Sequence, residues 1–150
     1  MIDAQNTAAS ESFHATTVAV DDAAVMIMGP SGSGKSALAL QLIGMGARLV
    51  ADDHTRVNVR DGKAEVLAPK RLQGVIEARG IGLINVPWKP SATLQLVVDM
   101  GQVETDRLPP SQRITTVVGL DIALVLRVDA PYFASAVFHL LRHGRAAVTD

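Results

Sequence analysis

The sequence predicts a single α/β domain built on a mixed, largely antiparallel sheet, and three observations lead there. Short apolar runs follow one another across two-residue turns, the mark of antiparallel neighbours. One glycine-rich segment sits between a buried strand and an amphipathic helix, the mark of an α/β unit. The chain has 150 residues of which 48% are apolar, enough for one core and too few for two domains.

Taken in order, residues 1–12 are small and polar and are expected to be a disordered tail, leaving 13–150 as the folded domain. Phe13 to Val20 is rich in β-formers, and Asp21-Asp22 turns it into Ala23 to Met28, an apolar run suited to burial on both faces. Gly29 to Gly34 is a loop. Lys35 to Met45 has helical spacing, with Leu38, Leu42 and Met45 on one stripe, and Gly44 and Gly46 stop it. Arg48 to Ala51 is a short strand ending in Asp52-Asp53. Thr55 to Arg60 and Ala64 to Ala68 form a hairpin about Asp61-Gly62. Leu94 to Asp99 and Ile122 to Val128 are further strands, and Pro131 to Arg142 is a closing amphipathic helix.

Composition excludes several functions. Aromatic residues make up only 3%, too few for the stacking platforms of a single-strand nucleic-acid binder. The net charge is −1 and is evenly spread, so there is no basic footprint for nucleic acid or an anionic membrane. Without cysteine there is neither thiolate metal site nor thiol nucleophile. The longest apolar run, Ala23 to Met28, is far too short to cross a bilayer and no signal pattern opens the chain, so a cytoplasmic location is expected.

The strongest motif is Gly29-Pro30-Ser31-Gly32-Ser33-Gly34-Lys35-Ser36, which satisfies G-x-x-x-x-G-K-[ST] at every fixed position. Its glycines let successive amides point into one concavity, and the helix start adds its positive end. Lys35 reaches toward β- and γ-phosphates, and the Ser36 hydroxyl suits Mg²⁺. A chance glycine turn would lack the strand before and the helix after. Asp52 and Asp53 follow the lysine by seventeen and eighteen residues. A strand running beside the phosphate-loop strand would bring both carboxylates to the phosphates, one for the metal's water shell and one to take a proton from an attacking hydroxyl. The competing reading is a pair of turn residues before a hairpin.

Four stretches together resemble the catalytic domain of the HPr kinase/phosphorylase family: Phe13-His14-Ala15-Thr16, the phosphate loop, Arg48 to Asp53, and Leu72-Gln73-Gly74-Val75-Ile76-Glu77-Ala78-Arg79-Gly80-Ile81-Gly82-Leu83-Ile84-Asn85-Val86. The last is similar to the family's own signature. The resemblance spans residues 13–90 and implies a P-loop kinase domain of the HPr kinase/phosphoenolpyruvate carboxykinase-like fold. It also implies an ATP- and Mg²⁺-dependent protein serine kinase, with pyrophosphate as an alternative donor, an HPr-type phosphocarrier as partner and a homo-oligomer, the hexamer typical of the family.

On matching positions the resemblance makes His14 an active-site histidine and Asp53 the base of the kinase direction and the acid of the reverse, with Asp52 beside it. It makes Ser36 and Glu77 metal-binding, and places Arg79 in a segment both reactions need. Glu77 and Arg79, two apart, would share one face of a strand, and Gly80 and Gly82 would permit close backbone approach. Without the resemblance, the same pair reads as a surface ion pair on an edge strand. The family's downstream Gly-Arg-Asn has its nearest counterpart in Gly119-Leu120-Asp121, where Leu120 replaces the arginine and Arg113 is the nearest substitute. That, and a C-terminal part shorter than the family's, makes the kinase direction the expected one.

The remaining motifs carry less. His139 and His143 have a chelating i, i+4 spacing but no accompanying glutamate. His54 reads as a turn residue. Trp88, between Pro87 and Lys89-Pro90, lies on a stiff loop that touches a partner or covers the edge of the core. The alternatives to the protein kinase are a small-molecule P-loop kinase, which would need a basic substrate pocket, and a nucleotide-sensing module without transfer activity.

Overall fold

The computed structural model describes residues 10–109 and 113–147. Its strands are β1 (Ser10–Phe13), β2 (Ala15–Val20), β3 (Ala23–Met28), β4 (Arg48–Ala51), β5 (Thr55–Arg60), β6 (Lys63–Leu67), β7 (Val75–Ala78), β8 (Gly82–Asn85), β9 (Ser91–Val103), β10 (Ile114–Val117) and β11 (Leu120–Arg127). Two helices, α1 (Lys35–Gly44) and α2 (Phe133–His143), and a 3-10 turn at Lys70–Leu72 complete it. This is the expected α/β architecture with a mixed sheet. The main sheet runs β1-β5-β6-β9-β3-β2-β4, while β7 and β8 form a separate hairpin.

Among the strands described, parallel pairing is confined to β9, which lies beside β3 on one edge and beside β11 on the other. At 13 residues it is much longer than the expected Leu94–Asp99. Its first three residues pair antiparallel with β6, and the rest of that edge pairs with β11. Because β2 is antiparallel to both β3 and β4, the C-terminal ends of β3, β4, β9 and β11 and the start of β2 share one edge of the sheet. The acidic strand β4 is therefore not the neighbour of the phosphate-loop strand. β2 stands between them, and two antiparallel steps restore the direction that delivers Asp52 and Asp53 to the loop.

Two apolar clusters explain why this sheet holds. On one face, α1 and α2 pack Leu38, Leu42, Phe133, Val137 and Phe138 onto Val18, Val25, Ile27, Leu49, Leu96 and Val98. On the other face the sheet rolls over itself, so that Val57 and Val66 of the β5–β6 hairpin meet Ala15, Met26, Val50 and Val97. β2 and most of β3 are buried on both faces, as a continuous apolar run requires. The roll is pinned by the Thr17 and Thr55 hydroxyls, 2.8 Å apart, with Thr55 donating to the Ala15 carbonyl at 2.9 Å.

Local departures from expectation have local causes. The strand expected from Phe13 to Val20 breaks at His14, and β1 reaches back to Ser10 by pairing with β5, inside the stretch expected as a tail; residues 1–9 lie outside the described residues. Met45 leaves the helix stripe because α1 ends at Gly44, and it is exposed. Asp61 and Gly62 both have positive φ, the geometry of the predicted two-residue hairpin turn. Val118-Gly119 makes the same turn between β10 and β11, which forces a β-branched residue to φ 44°.

Candidate active site

The phosphate loop lies where β3 ends and α1 begins. Gly34, at φ 98°, turns the chain into the helix, whose amide end faces the loop. A Cβ at Gly29 would sit 2.7 Å from Ser33 Oγ and 3.1 Å from Met100 Cβ, so only glycine keeps this cradle open. Lys35 is buried and folds its ammonium onto the loop's own carbonyls, donating to Gly29 O at 2.9 Å and Pro30 O at 3.2 Å. Among the described residues, Ser33 Oγ is the one buried side-chain polar atom without a hydrogen-bond partner. A cradle of amides with an orphaned hydroxyl and a folded-back lysine fits a polyphosphate, which supplies the missing acceptor and draws the ammonium off the carbonyls.

Asp52 and Asp53 are adjacent in sequence but do separate things. Asp52 faces the loop and accepts hydrogen bonds from Ser36 Oγ at 3.1 Å, Thr16 Oγ1 at 3.0 Å and the Glu77 amide at 3.2 Å. Asp53 turns outward at φ 69°, a left-handed conformation that Asp tolerates better than most residues. Its carboxylate lies 3.1 Å from His14 Nδ1 and 4.0 Å from His54 Nε2. The turn is tied to β2 by the Ala15 amide, which donates to Asp53 O at 3.1 Å. The Ser36 hydroxyl and the Asp52 carboxylate, 3.1 Å apart, are hard oxygen donors of the kind Mg²⁺ takes, so they fit that ion.

The β7–β8 hairpin brings Glu77 to the site through its backbone amide. Arg79 is not on the strand with Glu77: β7 ends at Ala78, and Arg79 opens the turn to β8. Both side chains are exposed, and no ion pair joins them among the described residues. Gly80 and Gly82 are needed for their φ values of 87° and 127° rather than for close approach, since a Cβ at either would meet nothing within 4 Å. The close approach is at Gly74, where a Cβ would lie 2.6 Å from Trp88 Cδ1. Trp88 thus seats on this hairpin, and Pro87 and Lys89 bond to Leu49 along the free edge of β4.

Sequence reasoning passed over three residues here. Thr16 holds Asp52 but looks like any strand threonine. His54 faces Asp53, although its turn position was visible. Arg127, at the end of β11, donates to Met100 O at 2.8 Å and pairs with Asp129 at 2.9 Å; its signal was a cation closing an apolar strand. Arg113 is engaged elsewhere, with Nε and Nη2 each 2.9 Å from the Glu104 carboxylate. The hydrogen bond from the Asp106 amide, helped by Arg113, holds the Glu104 carboxyl below its ordinary 4.5. His139 and His143 stack at 5.8 Å on α2, away from this edge.

A phosphate loop whose serine meets a carboxylate two strands away, with a second carboxylate beside a histidine, defines a P-loop α/β architecture. Comparison with known proteins narrows it. Residues 5–130 match the model of the HPr serine kinase C-terminal domain, and the chain belongs to that family. It is 35% identical over 133 residues to an HPr kinase/phosphorylase of Limosilactobacillus reuteri, covering 81% of this chain and 41% of the relative. The corresponding Enterococcus faecalis protein is 36% identical over 147 residues, covering 81% and 47%. The fold is similar to that of the Hpr(Ser) kinase/phosphatase from Coxiella burnetii, with a TM-score of 0.76, 25% identity and 88% of each chain covered. The chain spans less than half the length of the two curated relatives. Among the described residues, no helix is long and apolar enough to cross a membrane.

Proposed function

We propose that residues 13–150 form the catalytic domain of an ATP- and Mg²⁺-dependent protein serine kinase whose acceptor is an HPr-type phosphocarrier. The observation that carries the reading is the division of labour between the two aspartates. Asp52 bonds to the phosphate-loop serine, while the exposed Asp53 carboxylate lies beside His14 and is open to an acceptor.

In this reading the loop amides and Lys35 hold the β- and γ-phosphates, with Lys35 released from the Gly29 and Pro30 carbonyls. Ser36, Asp52 and Glu77 would hold Mg²⁺, which would supply positive charge against the phosphates. Thr16 orients Asp52 by a hydrogen bond that survives whichever partner Ser36 takes. Asp53 accepts the proton of the seryl hydroxyl as its oxygen bonds to the γ-phosphorus and the bond to the β,γ-bridging oxygen breaks, leaving ADP. His14 keeps the Asp53 carboxylate aimed at the acceptor. In the reverse direction an oxygen of inorganic phosphate held in the loop bonds to the phosphoserine phosphorus, the serine oxygen departs, and the protonated Asp53 returns its proton to it, leaving pyrophosphate. Arg79 projects from the exposed hairpin turn, beside Ile81 at 80% and Leu83 at 75% exposure, and that rim presents the acceptor protein. A homo-oligomer and a cytoplasmic location belong to the same proposal.

The test is incubation of the chain with γ-labelled ATP, Mg²⁺ and an HPr-type carrier. Acid-stable label on a carrier serine is expected. A carrier that stays unlabelled while the chain binds Mg-ATP would leave the nucleotide-sensing module as the better reading.

A further inference from the structure

The phosphate loop rests against β9, and β9 is irregular just there. One step along β11, from Leu126 to Arg127, spans Asp99 to Val103 on β9, so Met100, Gly101 and Gln102 stand out of the ladder as a bulge. The bulge meets the loop at three points. A Cβ built on Gly29 would lie 3.1 Å from Met100 Cβ and 3.3 Å from the Gly101 amide nitrogen. One on Gly34 would lie 3.4 Å from Met100 Cε, and one on Gly101 would lie 3.2 Å from Pro30 Cδ. Because β3 separates β9 from β2, this bulge is the wall of the phosphate cradle on the side away from the aspartates. Where it stands sets how closely the loop can coil.

A bulge lacks part of the ladder that would fix it, so its backbone groups need other partners. Two side chains supply them. Asp99 accepts from the Gly101 amide through Oδ1 and from Gln102 Nε2 through Oδ2, both at 2.8 Å. From the neighbouring strand, Arg127 donates through Nη1 to the Met100 carbonyl at 2.8 Å. Its guanidinium is held in turn by Asp129, which accepts from Nε at 2.9 Å and from Nη2 at 3.4 Å. The ladder resumes where the Glu104 amide donates to the Arg127 carbonyl at 2.9 Å. Asp129 is largely exposed, so its pair with Arg127 stabilises little by itself; it aims the planar fork at Met100. Among the described residues, Arg127 makes no hydrogen bond to the loop itself.

We propose that Arg127 is a positioning residue for the phosphate site: through the Met100 carbonyl it fixes the β9 bulge against Gly29, Pro30 and Gly34 and so holds the cradle at the spacing a polyphosphate needs. The proposal rests on the phosphate-loop reading above. It is tested by calorimetric titration with Mg-tripolyphosphate, which fills the loop alone, at a temperature well below the melting point of every variant. Arg127→Gln leaves the Met100 carbonyl without its charged donor, and affinity should fall about tenfold, the lower end for losing a charge-assisted hydrogen bond. Arg127→Lys keeps a cation that can donate to the same carbonyl and should recover most of that loss. Gly101→Ala leaves Arg127 intact but sets a methyl 3.2 Å from Pro30 Cδ, and should weaken binding in the same assay. A lower melting temperature for Arg127→Gln with tripolyphosphate affinity undiminished would mark a merely structural contact and overturn the proposal. An equal loss in Arg127→Lys and Arg127→Gln would overturn the assignment to the Met100 bond. Tripolyphosphate binding that survives Lys35→Ala would overturn the phosphate-loop reading itself, and the positioning role with it.

Discussion

Replacing Asp53 by asparagine separates binding from transfer. The residue sits at φ 69° with its side chain 57% exposed. Asparagine is among the few residues at ease in that region, so the turn between β4 and β5 survives. The amide also keeps the size and a hydrogen bond to His14 Nδ1, now 3.1 Å from the Asp53 carboxylate. What disappears is the capacity to take a proton. A positioned general base contributes about 10²–10⁴-fold, so transfer to the carrier serine should fall by that factor, or about 3–5 kcal/mol of barrier. Mg-ATP affinity should stay within about twofold, under 0.5 kcal/mol, because it is Asp52 that touches Ser36. Single-turnover transfer of γ-labelled phosphate, run beside calorimetric titration with Mg-ATP, reads both quantities. Transfer near the wild-type rate would refute the base assignment, and a parallel loss of ATP affinity would refute the division between the aspartates.

Three further outcomes are expected. Lys35→Ala should abolish the thermal stabilisation that saturating Mg-ATP gives the wild type, about 5–10 °C at a hundredfold excess over Kd, in a differential scanning experiment. Val118→Asn should raise the melting temperature by about 2–4 °C, because it relieves a β-branched residue held at φ 44° at a cost of about 1 kcal/mol. Glu104 has its carboxyl held below 4.5 in the folded state, so its contribution is present above that pH and is lost as pH falls through the folded value. Glu104→Gln should therefore lower stability at neutral pH and flatten the loss of stability below pH 4.5, as read by denaturant titration across pH.

What could be read from the chain alone was whatever depends on neighbours in sequence. The phosphate loop is one such unit, since the strand before it, the glycines and the helix after it are contiguous and each follows from local preference. So are the Asp61-Gly62 hairpin and the breadth of the apolar core. Resemblance along residues 13–90 brought His14, Asp53 and Glu77 into view together, because a signature is also a local text. The long reach of β9 was not legible: its last residues alternate weakly, and they extend because β11 lies alongside. The insertion of β2 between the loop strand and the acidic strand was equally hidden, since either order presents the same apolar runs.

The roles within the site were decided by tertiary structure. Asp52 and Asp53 are chemically identical neighbours, and only the turn to positive φ at Asp53, pinned by the Ala15 amide, sends one carboxylate to Ser36 and the other to His14. Thr16 became a partner of Asp52 through a separation of 36 residues that no local pattern encodes. Arg113 was drawn to Glu104 and Arg127 to Met100 by the packing of β9 against β11. The sequence by itself determined that this chain carries a phosphate loop and two carboxylates, because residue type and spacing settle what each segment can do. Only the rolled sheet decided which groups meet, because meeting depends on strand order and register, which are set by burial over the whole chain.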